Sequence, residues 1–227
     1  VASPDSVVQG LYEASVSRNP SSSLRHNRED FIESRKMVDT HGTLNVAKIC
    51  NYLNIHSDKD AIFTNGAGNF AIWSGKYLNY NKEHRLLAPQ AGAMGAGVPA
   101  ALAAKSIYPN RQVICFAGDG DFQMSASELG TAMQEGLNPI ILIHNNGSYG
   151  TIRMHQEMRY PKRVSGTNLK NPNFKCIAEA YNFGYSKITN LSEFKVAFEK
   201  AKTFDVGFII EMLADIKDIS PGKIIDL

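Results

Sequence analysis

From residue 38 onward, short apolar runs alternate with longer segments of helical periodicity, and this rhythm restricts the possible folds more than any other feature. The runs at 61–64, 112–117, 139–144, 183–187 and 206–212 read as strands. Helical patterns fill 44–53, 69–78, 96–107, 121–134, 149–160, 173–181 and 191–202. Val113-Ile114-Cys115-Phe116-Ala117 and Ile140-Ile141-Leu142-Ile143 are apolar at every position, so neither strand has a polar face to offer to water. Strands covered on both faces belong to parallel sheets whose crossover helices pack on either side. The expectation is therefore an α/β fold, a doubly wound parallel sheet flanked by helices, as a single main domain over 38–227.

Residues 1–37 lack this rhythm. Val7, Val8, Leu11 and Tyr12 could line one face of a short helix, 17–23 is a turn-rich linker, and a charged run follows at 26–36. This stretch reads as the tail of a preceding domain plus a connector. Together with the absence of methionine at position 1, it suggests a piece of something longer.

Composition narrows the function classes. Lys plus Arg number 24 against 22 Asp plus Glu, a formal charge of +2, which gives no support to nucleic-acid binding through overall charge. Cys50, Cys115 and Cys176 are too few and too widely spaced for a disulfide framework or a zinc site, and a reducing cytoplasm is the expected location. No basic-then-apolar signal segment opens the chain. Residues 86–104 carry no charge, but Pro89, Pro99 and three glycines make them a loop running into a packed helix, and no membrane span is expected.

Three strand ends run into unusual turns. The first is Asn65-Gly66-Ala67-Gly68-Asn69, the second Gly118-Asp119-Gly120-Asp121, the third Asn145-Asn146-Gly147-Ser148-Tyr149-Gly150. In an open α/β sheet, ligands bind outside the carboxyl ends of the strands. Glycines there let backbone N–H groups approach a phosphate. Asp119 and Asn146 lie 27 residues apart, an interval that holds one helix and one return strand and so makes the two ends neighbours. A carboxylate and an amide oxygen are hard ligands suited to Mg²⁺ or Ca²⁺. Either turn alone would be ordinary, since Gly, Asp and Asn cluster in turns anyway; the pair at this spacing reads as a Mg²⁺–diphosphate site.

The segments TNGAGNFAIW, AGAMGAGVPAALAAK, GDGDFQMS and NNGSYGTIRMHQE, in this order and spacing, resemble thiamine-diphosphate-dependent enzymes of the acetolactate synthase-like branch. The resemblance covers about residues 38–215 and implies the thiamine-diphosphate-binding fold of the C-terminal domain. It implies that Asp119, Asn146 and the main-chain carbonyl of Ser148 hold Mg²⁺. Gly68, Asn69, Gly120 and Asp121 would bind the diphosphate, and the Gly92 carbonyl would accept from the aminopyrimidine. Met94 would be the wedge that bends the cofactor, and Tyr149 and Gly150 would complete the wall above it. The implied chemistry is decarboxylation or carboligation of a 2-oxo acid through the cofactor's C2 ylid. A 2-oxoacid decarboxylase or related lyase is the alternative, and a non-catalytic cofactor-binding or assembly subunit is an alternative of another class. The family's activating glutamate belongs to a pyrimidine-binding domain that this chain lacks, so that domain is expected upstream or on a partner chain, in a homodimer or homotetramer.

Two positions depart from the family pattern. Asp121 stands where a small residue is usual, and its charge should repel a diphosphate unless it faces metal-bound water, a cation or solvent. His155 stands where acetolactate synthases usually carry tryptophan near the acceptor substrate, which makes it a candidate catalytic residue. Elsewhere the plainer readings lead: His144 as a hydrogen-bonded core histidine, Cys115 as a small buried hydrophobe, and Phe70 with Trp73 as a packed helix face. Residues 153–175 carry six basic side chains and one acid. They read as a solvated surface that could also attract an anionic 2-oxo acid. Residues 161–172 could form a mobile lid.

Overall fold

The computed structural model describes residues 3–14 and 22–224, and the chain divides into two compact units, 1–36 and 37–227. The first contains helices α1 (Pro4–Ala14) and α2 (Ser22–Ser34). The stripe Val7, Val8, Leu11 and Tyr12 lies on α1, as its spacing predicts, and is exposed. Most of the expected linker, residues 17–21, lies outside the described residues.

The second unit runs α3 (Val46–His56), β1 (Ile62–Asn65), α4 (Phe70–Tyr77), β2 (Arg85–Leu87), α5 (Gly97–Ile107), β3 (Val113–Gly118), α6 (Asp119–Gln123), α7 (Leu129–Glu135), β4 (Ile140–Asn145) and α8 (Gly150–Arg159). It continues through α9 (Phe174–Ala180), β5 (Gly184–Ile188), α10 (Leu191–Lys202), β6 (Phe208–Leu213) and a hairpin of β7 (Asp218–Ser220) and β8 (Lys223–Ile224). Six strands form one sheet in the order β2-β1-β3-β4-β6-β5, and every pairing is parallel. No helix among the described residues is long and apolar enough to cross a membrane.

The doubly apolar strands explain this architecture. Along β3, Ile114 and Phe116 enter a core shared with Trp73, Phe194 and Phe198, whereas Val113, Cys115 and Ala117 enter a second core with Leu102, Phe122 and Phe174. Successive side chains leave a strand on opposite faces, so both faces must be covered, and full burial of each large side chain stabilises by about 1.5–3 kcal/mol. Cys115 is wholly buried, and burial pushes its thiol up to about 12, so it serves as core. Trp73 is core as well; Phe70, one turn earlier on α4, is not only core, because its ring also reaches the cavity described below.

Three expectations need correction. Arg85–Leu87, taken as loop, is a three-residue edge strand pairing with β1. The helix expected over 121–134 starts at Asp119 and breaks, with a 3-10 turn at Ala126–Glu128 between α6 and α7. The break falls at Ser125, whose φ of −136° is incompatible with a continuous helix. The terminal hairpin, with Gly222 at φ +75° in its turn, was not foreseen. It clasps the start of this unit: the Asp218 carboxylate accepts the backbone N–H groups of His41 (2.7 Å) and Gly42 (2.9 Å).

Candidate functional site

The chain leaves β1 in one direction to form β2 and returns on its other side to form β3, so the sheet's order reverses at β1. Crevices outside the carboxyl ends of strands at such a point are natural ligand sites. Here the ends of β1, β3 and β4 lie side by side, Asn65 opposite Phe116 and Gly118 opposite His144. Their three turns line an open cleft of about 220 Å³. Gly68, Asn69, Gly92, Met94, Asp119, Gly120, Asp121, Asn146, Ser148, Tyr149 and Gly150 all line it. His155 does not: it is exposed on α8, outside the lining.

Asp119 is 2% exposed. Its Oδ2 accepts from the Gly147 N–H (2.9 Å) and the Asn171 amide (2.6 Å), and its Oδ1 from the Gly120 N–H (3.0 Å). Burial raises its pKa, and these hydrogen bonds oppose the rise. The Gly147 contact joins the second turn to the third, as the 27-residue interval predicts. Asn171 also donates to Asn145 Oδ1 (2.8 Å), Asn145 donates to Glu211 Oε1 (2.7 Å), and the Tyr185 hydroxyl donates to Glu211. A chain of polar groups thus runs from β5 and β6 to Asp119.

Asp121 behaves differently from the expectation of charge repulsion. Its carboxylate reaches across to the first turn and to the loop before α5, accepting the N–H groups of Ala67 (3.2 Å) and Gly95 (2.8 Å). It occupies the space left by Gly66, where an added Cβ would lie 2.0 Å from Oδ1. Backbone donors balance part of this charge, and the residue also lines the cavity. Burial still raises its pKa. Gly120 is equally constrained, since a Cβ there would lie 2.5 Å from the Tyr149 ring.

The segment 161–172, considered above as a mobile lid, is pinned to the third turn. Thr167 accepts from the Tyr149 N–H (2.9 Å) and the Ser148 hydroxyl (2.9 Å), and the Leu169 N–H donates to Gly147 (2.8 Å). Of the basic residues nearby, Arg153 donates to Asn168 (2.8 Å), and Arg159, Lys162, Arg163, Lys170 and Lys175 are exposed. His144 is buried at the cavity floor, but the expected hydrogen bond is missing at Nδ1, which has no partner. Burial pushes the imidazole down to about 4, so the ring is neutral near pH 7.

Residues 66–212 match the family described as thiamine pyrophosphate enzyme, C-terminal TPP binding domain. The chain belongs to this family. The acetolactate synthase large subunit of Porphyra purpurea is 34% identical to it over 172 residues, which is 73% of this chain and 29% of that protein. The corresponding subunit of Lactococcus lactis is 36% identical over 137 residues, 60% of this chain and 24% of that protein. The thiamine diphosphate-dependent 4-hydroxybenzoylformate decarboxylase of Rhodococcus jostii RHA1 superposes with a TM-score of 0.73 at 26% identity, over 79% of this chain and 34% of its own. The chain thus spans less than a third of the length of these synthase relatives.

The cavity suits the ligand of a thiamine pyrophosphate-binding domain in one specific way. It holds two buried carboxylates, and no Lys or Arg is among the described residues lining it. A diphosphate would meet net negative charge there unless a divalent cation came between. The donors at hand are all oxygens: the Asp119 carboxylate, the Asn146 amide and the Ser148 carbonyl. Asn146 Oδ1 and the Ser148 carbonyl each accept one short hydrogen bond, from the Ser148 and Gly150 N–H groups. Each carbonyl oxygen has two lone pairs, so each retains one for a cation. Sequence reasoning missed Thr151, Asn145, Asn171 and Glu211. Thr151 accepts from the Asn69 N–H (3.0 Å) and lines the cavity, while the other three form the chain behind Asp119. None of these stands at a distinctive spacing.

Proposed function

We propose that this domain binds thiamine diphosphate through Mg²⁺ and forms part of an enzyme acting on 2-oxo acids, as an acetolactate synthase-like carboligase. The observation that carries this reading is the charge of the cavity, two buried carboxylates with no Lys or Arg among the described residues of the lining. Mg²⁺ takes few protein ligands and completes its octahedron with phosphate oxygens and water, which matches a carboxylate and two carbonyl-type oxygens. Asp119, Asn146 and the Ser148 carbonyl then hold the metal, and Gly68, Asn69 and Gly120 line the diphosphate. The Gly92 carbonyl accepts from the aminopyrimidine, Met94 is the wedge, and Tyr149 and Gly150 wall the cofactor in. Asp121 contributes by fixing the turns rather than by touching phosphate.

The cofactor, when bound, supplies a carbon nucleophile that adds to the substrate's 2-oxo group. The work of these residues is to anchor it, bend it and keep water from its thiazolium face. Activation of the pyrimidine falls to a glutamate on a pyrimidine-binding domain, upstream or on a partner chain, in a homodimer or homotetramer. Residues 1–37 then form the end of a preceding domain. A 2-oxoacid decarboxylase is the second reading, favoured by the likeness to the Rhodococcus decarboxylase.

Calorimetry on the full chain tests the cofactor reading. Thiamine diphosphate should bind only with Mg²⁺, and Asp119→Ala should weaken that binding at least 100-fold while the chain stays folded. Equal affinity with and without Mg²⁺ would overturn the metal assignment. Hydrogen–deuterium exchange at the cofactor C2 tests the division of labour. With this chain alone it should be no faster than in free cofactor, and rapid exchange would place the activating group within these 227 residues.

A further inference from the structure

His144 is the polar exception at the end of a strand otherwise built from Ile140, Ile141, Leu142 and Ile143. Leu142, two residues earlier and on the same face, belongs to the core with Trp73 and Phe194. An aliphatic residue at 144 would extend that core without cost. Instead an imidazole 6% exposed stands there, lines the cavity, and has no hydrogen-bond partner at Nδ1. Its neighbours in register offer it nothing: Gly118 on β3 has no side chain, and Met212 on β6 has only a thioether. Nδ1 is sealed from solvent, so Nε2 is the ring nitrogen that a group in the cavity can meet. Buried polar groups nearly always have partners, and a ring without one beside a cavity calls for a polar group from outside the chain.

We infer that His144 is a further binding residue, a hydrogen-bond donor to a phosphate oxygen of the ligand held in this cavity. The inference rests on the proposed cofactor reading and extends it. An imidazole carries at least one N–H. A diphosphate oxygen only accepts, so a donating nitrogen is the one turned to the ligand. Because no Lys or Arg is among the described residues of the lining, this ring and the turn amides provide the donors from the floor side, and Mg²⁺ provides the positive charge.

The test uses the full chain labelled with ¹⁵N-histidine, with two probes, Mg²⁺–thiamine diphosphate and Mg²⁺–inorganic diphosphate. Both should move the same His144 ring-nitrogen resonance, because the shared chemistry is the phosphate oxygen. His144→Leu should lower affinity for both about tenfold. His144→Gln, whose amide reaches the Nε2 position, should restore it to within about threefold, and His144→Asn should not. A shift with thiamine diphosphate only would overturn the phosphate assignment. If wild type binds both probes with the ring resonances unmoved, His144 is packing and this inference fails while the cofactor reading stands. If wild type binds neither probe, the cofactor reading itself fails and takes the inference with it. The labelled wild-type measurement decides the matter even if a variant does not fold.

Discussion

Two carboxylates stand two residues apart in the turn after β3, each 2% exposed, and the cavity floor divides into a region around each. Around Asp119 the partners are a side-chain amide, the glycine amide next door and one amide of the following turn, backed by Asn145 and Glu211. Around Asp121 the partners are backbone N–H groups from two separate loops, and Gly66 clears the room. The same residue type in the same turn thus has two kinds of surroundings. In the proposed reading the first region holds the metal, trading a hydrogen bond for a cation. The second region stitches loops together and has nothing to trade.

The comparison breaks most visibly at Asp121. If repulsion of the diphosphate dominated, removing the Asp121 charge would tighten binding. With two backbone donors to leave unpaired, the opposite sign is expected: Asp121→Ser should cost about 2–4 kcal/mol and weaken cofactor binding with it. Gly66→Ala should cost a similar amount alone and much less in the Asp121→Ser background, where the crowded carboxylate is gone. Thermal melts of the double-mutant cycle check this, and additive costs would mean that the two residues do not share a site.

A middle-sized effect belongs to Asn171. Asn171→Ala removes the amide that orients Asp119 and should weaken Mg²⁺-dependent cofactor binding about tenfold, at a stability cost of about 1 kcal/mol. Titration of Mg²⁺ at fixed cofactor reads it. Unchanged Mg²⁺ dependence would show that Asp119 is held well enough by the turns alone.

The pH response should be smaller and is shared by both regions. Burial raises both pKa values above the ordinary 3.8, so just above that pH the folded chain keeps protons that the unfolded chain has released. Stability from these groups therefore falls as pH rises through that window. Without metal, Asp119→Asn should gain melting temperature relative to wild type from pH 4 to pH 7, and Mg²⁺ with cofactor should reverse the order. A gap that stays constant with pH would remove Asp119 from the titration.

The smallest effect is expected at His155. Exposed and outside the lining, it should leave cofactor affinity within about twofold when changed to Trp. Any influence should appear only in the intact enzyme, as a changed ratio of carboligation to aldehyde release, and identical ratios across a panel of 2-oxo acids would retire it as an acceptor-side residue.

The parallel sheet was legible because β3 and β4 are apolar on both faces, a pattern with few other solutions. The edge strand β2 was not, since three exposed residues give no alternation to read. The residues of the turns were legible as a group because Gly, Asp and Asn at strand ends have few other uses at that spacing. Their partners were hidden for a geometric reason: Asn171 lies 52 residues from Asp119, and Glu211 lies 66 from Asn145. Only the assembled sheet makes these pairs neighbours. Asp121 illustrates a related limit: its place in the turn is readable from sequence, but the loop amides that its carboxylate accepts are not.

The stitching around Asp121 also sets an order in time. Its bonds to Ala67 and Gly95 close loops of 54 and 26 residues, and neither can reward the chain until β1 and β3 lie side by side. Loop-closure entropy must be met before such contacts return anything, so contacts distant in sequence form slowly. Helices α3 and α10 draw on local contacts and can form early, whereas the cavity floor is among the last parts to set during refolding. A refolding chain thus regains helical signal before it regains a place for a ligand, and a cofactor present from the start captures the finished domain without hastening the steps that build it.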